Sequence, residues 1–254
     1  MGKIYAIANH KGGVGRTTVC VNLAACLAKM GKRVLIVDLD PNCNASIGLG
    51  FIGGEVGVNA YHVLTAGMSA ALAVRQTEIE GLSILPAGID LAGAEVELVY
   101  KKGREGCLKA ALQRVKGDYD YLFIDCPPTL GLLTLNGIVA SEGVIVPVQC
   151  EYYSLEGIGR LIKTLELTGG LLGASAGVCG IVINMYDGRS LSARRIEEEL
   201  RTHFGETVME TVVPRNVRIA EAPSYSLPVN AYDEKSSGAE AFALLAEEFA
   251  LKYC

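Results

Sequence analysis

The sequence lacks an apolar run long enough to cross a bilayer; Gly, Pro or a charged residue interrupts every one well short of about 20 residues. It also lacks a signal-peptide pattern at its start, so a soluble, cytoplasmic protein is expected. An excess of positive charge is missing too. Lys and Arg number 23 against 28 Asp and Glu, a formal net charge of −5. That balance excludes a generally basic nucleic-acid coat and leaves room only for a local patch. Metal-ligand spacing is absent: the eight cysteines form no CxxC pair, and none of the three histidines stands at zinc-site distance from them. Most of these cysteines lie in apolar stretches such as 19–27 and 178–182, where a reduced thiol behaves as a small hydrophobe, so a reducing compartment is expected. No internal repeat, low-complexity tract or linker divides the 254 residues, which predicts a single domain over 1–254.

Half the residues are hydrophobic, enough for a sizeable core. Short apolar, β-rich runs recur at 4–8, 33–37, 82–85, 121–124, 143–148, 178–183 and 207–213. Between them, apolar residues at helical spacing predict helices over 17–30, 105–116, 130–140, 155–167 and 191–203. Strands that read as continuous apolar runs are buried on both faces, and their alternation with helices implies parallel βαβ units. The expected fold is therefore α/β: a doubly wound, mostly parallel sheet with helices on both faces, an architecture that includes the P-loop NTPase type.

The first run ends in Asn9-His10-Lys11-Gly12-Gly13-Val14-Gly15-Arg16-Thr17-Thr18, followed by a helix. Glycines let the backbone bend so that successive N–H groups point inward, and the helix adds its positive end; residues Lys11 to Thr18 thus form a candidate phosphate cradle. A dinucleotide fingerprint, GxGxxG, fits Gly13 and Gly15 and has Asp38 at about ribose-binding distance, but Thr18 stands where its third glycine belongs. The Walker pattern GxxxxGK[ST] also fails strictly, with His10 for its first glycine and Arg16 for its lysine. Thr17 nevertheless occupies the place of a hydroxyl ligand for Mg²⁺. Asp40 follows the second strand, where a carboxylate beside the crevice can orient or deprotonate an attacking water. Asp38 has the alternative of pairing or capping at a strand end. Asp125 closes an apolar strand, the Walker B arrangement that holds Mg²⁺, often through water.

Lys11-Gly12-Gly13-Val14-Gly15-Arg16-Thr17-Thr18 resembles the deviant Walker A motif KGGVGKTT of the ParA/MinD ATPases. The resemblance extends over nearly the whole chain. VDLDPN at 37–42, FIDCPPTLGLLTLN at 123–136, VPVQCEYYSLEG at 146–157 and PRNVRIAEAPS at 214–224 look like the chromosomal ParA (Soj) subfamily. It implies an ATPase that binds ATP and Mg²⁺ through Gly12, Gly13, Val14, Gly15, Arg16, Thr17 and Thr18, with Asp40 positioning water. Lys11, otherwise readable as a solvated loop lysine, corresponds to the signature lysine that crosses into the partner's site of an ATP-bridged homodimer. Pro214 and Asn216 match the adenine-side wall, and Asn184 is a further candidate to face the base. Arg189 and Arg218 match arginines that carry non-specific binding of double-stranded DNA. A ParB-like partition protein and a nucleoid-associated location follow from the same likeness.

Two departures stand out. Asn42 replaces the glutamine of the usual DPQ, and Arg16 replaces the lysine that reaches the β- and γ-phosphates. Guanidinium is longer, planar and more rigidly forked than an ammonium, so the exchange predicts nucleotide binding with slowed hydrolysis. A tolerated variant, a hydrolysis-deficient ATP-locked DNA-binding dimer and a positioning ATPase for another cargo are the alternatives. A reductase like the nitrogenase iron protein shares this loop but needs cluster-bridging cysteines, which Cys126-Pro127-Pro128 does not resemble. The remaining arginines, Arg194, Arg195 and Arg201, fit a solvated helix face with intrahelical pairs. The C-terminal stretch 236–253 has helical spacing, but Glu240, Glu247 and Glu248 outweigh Lys252, so it reads as a helix packed on the core and not as a basic membrane anchor.

Overall fold

Six of the seven apolar runs become strands of one sheet, and an additional short strand joins them at an edge. The computed structural model describes residues 2–51, 57–152, 154–173 and 176–253, and of Leu171 only the backbone. The strands are β1 (Lys3–Ile7), β2 (Val34–Asp38), β3 (Arg75–Gln76), β4 (Leu82–Leu85), β5 (Tyr121–Asp125), β6 (Gly143–Val148) and β7 (Gly177–Ile183). Their order across the sheet is β3-β4-β2-β5-β1-β6-β7. Every pairing is parallel except that of β3 with β4. All residues of β2, β4, β5 and β6 are buried, because helices cover both faces.

The helices are α1 (Arg16–Lys29), α2 (Asn44–Gly48), α3 (Ala60–Thr65), α4 (Ala70–Ala73), α5 (Leu91–Leu98), α6 (Cys107–Leu112), α7 (Leu132–Ala140), α8 (Ser154–Leu172), α9 (Leu191–Phe204), α10 (Val217–Glu221), α11 (Val229–Tyr232) and α12 (Ser237–Lys252). Alternation along each strand assigns the two cores. Ile4, Ala6, Leu35, Leu122 and Ile124 pack with Leu98, Leu108, Leu133 and Leu161, from α5, α6, α7 and α8. Tyr5, Ile7, Ile36 and Phe123 pack with Leu23 and Leu27 of α1 and with Phe242, Leu245 and Phe249 of α12. The ring of Phe249 meets Tyr5 edge-on at 5.1 Å and lies 5.5 Å from Phe123, so the apolar stripe of α12 is spent in the core, as its acidic outer face suggests. Among the described residues no helix is long and apolar enough to cross a membrane.

The run at 207–213 is not a strand. It follows β7 only through isolated bridges, Ile181 with Val208 and Tyr186 with Pro214. Between them the Glu248 carboxylate of α12 accepts from the backbone N–H groups of Glu210 and Thr211, at 2.7 and 2.9 Å, taking donors that a ladder needs. The helix expected over 105–116 is also shorter: a 3-10 turn at Arg104–Gly106 precedes α6, and another follows at Lys116–Asp118. Glycines at 103, 106 and 117 weaken the ends, while the buried Asn136 accepts from the Leu108 N–H and fixes where α6 begins. The cysteine reading holds for Cys20, Cys26 and Cys126, which are buried, whereas Cys43, Cys107, Cys150 and Cys179 are partly exposed; these seven are free thiols, and Cys254 lies outside the described residues.

Candidate functional site

β1 is a central strand, and its C-terminal residue Ile7 pairs with Asp125 of β5 on one side and Ile145 of β6 on the other. Open α/β sheets bind ligands beyond this edge. The loop that leaves β1 turns twice through left-handed glycine, Gly13 at φ 74° and Gly15 at φ 86°. Gly15 is required twice over: its φ suits no other residue, and a Cβ there meets the Asn184 amide nitrogen at 2.1 Å. Gly15 also caps α1, and no side chain satisfies the N–H groups of the first turn. Free N–H groups at the positive end of a 14-residue helix are what an anion needs.

Side chains from the neighbouring strands hold this loop. Asn9 donates its amide to the Pro147 carbonyl at 2.8 Å and accepts from the Lys11 N–H at 3.0 Å. Gln149 donates to the Gly13 carbonyl at 2.9 Å, and Asn184, 1% exposed, donates to that of Val14 at 2.8 Å. Asn184, expected at the base, therefore supports the loop from beneath. Gln149 escaped sequence reasoning; its only signal was its place at the end of an apolar strand. Lys11 forms an ion pair with Glu151 at 2.5 Å, both half-exposed. The Arg16 guanidinium donates to the backbone carbonyls of Asn9, Lys11 and Cys126.

Behind the loop lie three acids. Asp38 and Asp125 are register partners on β2 and β5, and both are fully buried. Asp38 accepts from the Asp40 N–H and from the N–H and hydroxyl of Ser46, at 3.0, 2.9 and 2.7 Å, a tie that shapes the turn after β2. Burial pushes its carboxyl up to about 6 in spite of these bonds. Asp125 is raised well above the carboxylate range, first by burial and next by the charge of Asp38. Its Oδ2 accepts from the Thr17 hydroxyl at 2.7 Å, while its Oδ1 is buried with no hydrogen-bond partner. A buried oxygen left bare beside a hydroxyl fits a cation, which also relieves the charge that burial opposes. Among the described residues no three His, Cys, Asp or Glu side chains form a cation cage. That is the donor set of an ion that takes most ligands from phosphates and water, as Mg²⁺ does. Asp40, 4% exposed, has its Oδ1 fixed by the backbone and side-chain amides of Asn42, at 2.9 and 2.8 Å. Asparagine at 42 thus orients Asp40. Cys126 is fully buried and is out of reach of any bridge to another chain.

Beyond β7, Pro214 lies against Tyr186, and Asn216 caps α10 by accepting from the Arg218 N–H at 2.7 Å while donating to Ser237 at 2.8 Å. Arg189 and Arg218 flank this segment on the surface. Arg189 is held by both oxygens of Asp187 at 2.9 Å, and Arg218 by Glu221 at 2.9 Å and Asp233 at 3.2 Å. Arg201 pairs with Glu197 within α9 but is partly buried and also donates to the carbonyls of Met209 and Glu210, so it ties α9 to the segment that follows and is not simply a solvated side chain.

Residues 2–170 match the family model AAA_31, described as an AAA domain. The chain is 48% identical over 250 residues to the sporulation initiation inhibitor protein Soj of Bacillus subtilis, which covers 98% of this chain and 99% of that protein. It is 50% identical over 243 residues to the chromosome-partitioning ATPase Soj of Thermus thermophilus, covering 96% and 93%. Its fold is similar to that of a cobyrinic acid a,c-diamide synthase from Mycobacterium smegmatis solved with bound ADP and magnesium, with a TM-score of 0.84, 36% identity and coverage of 97% and 93%. A glycine-bent anion loop, a hydroxyl set on a buried strand-end carboxylate and this full-length likeness agree: the chain belongs to the ParA/Soj family of chromosome-partitioning ATPases.

Proposed function

We propose that this chain is a single-domain partition ATPase that binds ATP and Mg²⁺, dimerises on ATP, and coats double-stranded DNA non-specifically until a ParB-like partner stimulates hydrolysis and release. The observation that carries the reading is the Thr17–Asp125 contact with its bare carboxylate oxygen, beside a glycine-bent loop that leads into the uncapped N-terminus of α1. The ADP and magnesium bound in the Mycobacterium smegmatis neighbour support the same kinds of ligand here.

Lys11, Gly12, Gly13, Val14, Gly15, Arg16, Thr17 and Thr18 hold the phosphates, through backbone N–H groups and the positive end of α1. Thr17, and Asp125 through water, hold Mg²⁺, which when bound neutralises phosphate charge. Asp40, kept in one orientation by Asn42, positions the attacking water and accepts its proton. Pro214 and Asn216 wall the adenine, with Asn184 close beneath the loop. Lys11 leaves Glu151 to reach the partner's phosphates, where its charge acts in trans as an arginine finger does. Arg189 and Arg218 contact DNA phosphates. Turnover by Asp40→Ala tests the catalytic half: it should fall by about a hundredfold or more, the scale of a lost general base, with ATP binding retained. Unchanged turnover contradicts the assignment.

One observation favours the second reading, an ATP-locked dimer that scarcely hydrolyses. The charge meant for the γ-phosphate belongs to Arg16, and three of its five donors are engaged by backbone carbonyls. Arg16 slows hydrolysis in either case.

A further inference from the structure

The Arg16 guanidinium sits within the backbone of its own loop. Its Nε donates to the Cys126 carbonyl at 3.1 Å, and its Nη1 donates to those of Asn9 at 2.7 Å and Lys11 at 2.9 Å. Three of five N–H bonds are used, and the two on Nη2 remain. The acceptors come from three places: Asn9, two residues beyond the end of β1, Lys11 of the loop, and Cys126, which follows Asp125 at the end of β5. A guanidinium fork reaches all three at once because its donors diverge in one plane. A lysine's three donors all leave one nitrogen on a flexible stem, so it does not span three separate carbonyls as the planar fork does.

We propose that Arg16 is a positioning residue, a clasp that holds the empty loop in its anion-binding shape and ties it to the strand that carries Asp125. The clasp takes the charge away from the point where γ-phosphate charge develops and leaves only Nη2 to reach outward. Loop order and slow hydrolysis then have one cause. The structural half of this proposal needs no nucleotide; the kinetic half rests on the reading of the loop as an ATP site.

Hydrogen exchange over residues 9–20 in the nucleotide-free protein separates the halves, with wild type, Arg16→Lys and Arg16→Met compared and α12 as internal reference. The clasp predicts that both variants exchange in this segment about tenfold faster than wild type, Arg16→Met at least as fast as Arg16→Lys, with α12 unchanged. Equal exchange in all three overturns it. Turnover with Mg²⁺ and ATP should rise about tenfold in Arg16→Lys, as one freed charge on the transition state allows. A residue that only stabilises the fold would lower turnover when replaced. Equal or lower turnover therefore overturns the kinetic half even where exchange has changed. Failure of wild type and Arg16→Lys alike to bind nucleotide rejects the ATP-site reading, and the exchange comparison still decides the clasp.

Discussion

Asp38 and Asp125 end adjacent strands in a fully buried place, and after burial itself the charge of Asp38 makes that of Asp125 harder to hold. Burial raises Asp38 to about 6, so near pH 5 the folded protein keeps a proton there that the unfolded chain releases. This group's contribution therefore falls as pH rises from about 4 to 6 and is constant above. Asp40, Asp125 and Cys20 face the same pocket of charge, and Arg16 opposes them. Thermal melts of the metal-free, nucleotide-free protein should accordingly show Asp38→Asn gaining on wild type as pH rises from 5 to 7. A difference that stays constant over that range rejects the account. Placement was the most legible part of the site: strand ends and a glycine loop alone bring Thr17, Asp40 and Asp125 to one edge of the sheet, and the structure sets Thr17 on Asp125. Gln149 and Glu151 were not legible, because their partners, Gly13 and Lys11, lie 136 and 140 residues away in the chain. The carbonyls that hold Arg16 were hidden for a different reason. Sequence reveals the donor, but the backbone acceptors are set by where the loop folds.

At the level of elements, the surface formed by the loop after β7 and by α10 is the one proposed to meet DNA. Each arginine there is already paired: Asp187 grips Arg189 and is driven down to about 2 by it, and Glu221 and Asp233 grip Arg218. Phosphates must displace these acids, so the pairing tunes affinity without providing stability, as exposed ion pairs contribute little. Arg189→Ala should weaken binding to every DNA sequence alike, by about threefold to tenfold for one lost phosphate contact per protomer. Asp187→Asn should strengthen it by a similar factor and steepen the salt dependence. Equilibrium binding on two unrelated duplexes at two salt concentrations checks both, and weaker binding by Asp187→Asn contradicts the competition. The β strands were legible because burial on both faces leaves a plain apolar signature. The segment 207–213 carried that signature too, yet Glu248 of α12 takes its backbone donors, a tertiary contact that no local pattern announces. Short helices such as α2, α10 and α11 span four or five residues, too few for periodicity to register.

On the scale of the whole molecule, the proposed assembly would reconcile net charge with the proposed DNA binding. A chain of charge −5 with two tied arginines has a weak hold on phosphate. Two copies joined through ATP double the contacts on one duplex, and linked contacts multiply affinity. On the proposed reading, the Lys11–Glu151 pair opens before Lys11 reaches another chain, nucleotide is the switch, and Arg16 sets how long it stays on. The measurement that tests this most directly is the binding of a non-specific DNA duplex with Mg²⁺ and either ATP or ADP, followed together with the mass of the protein in solution. Tight binding and a doubled mass with ATP alone, both lost in Lys11→Ala, are what the account predicts. Equal DNA binding in the two nucleotides, or tight binding by a species of monomer mass, contradicts it.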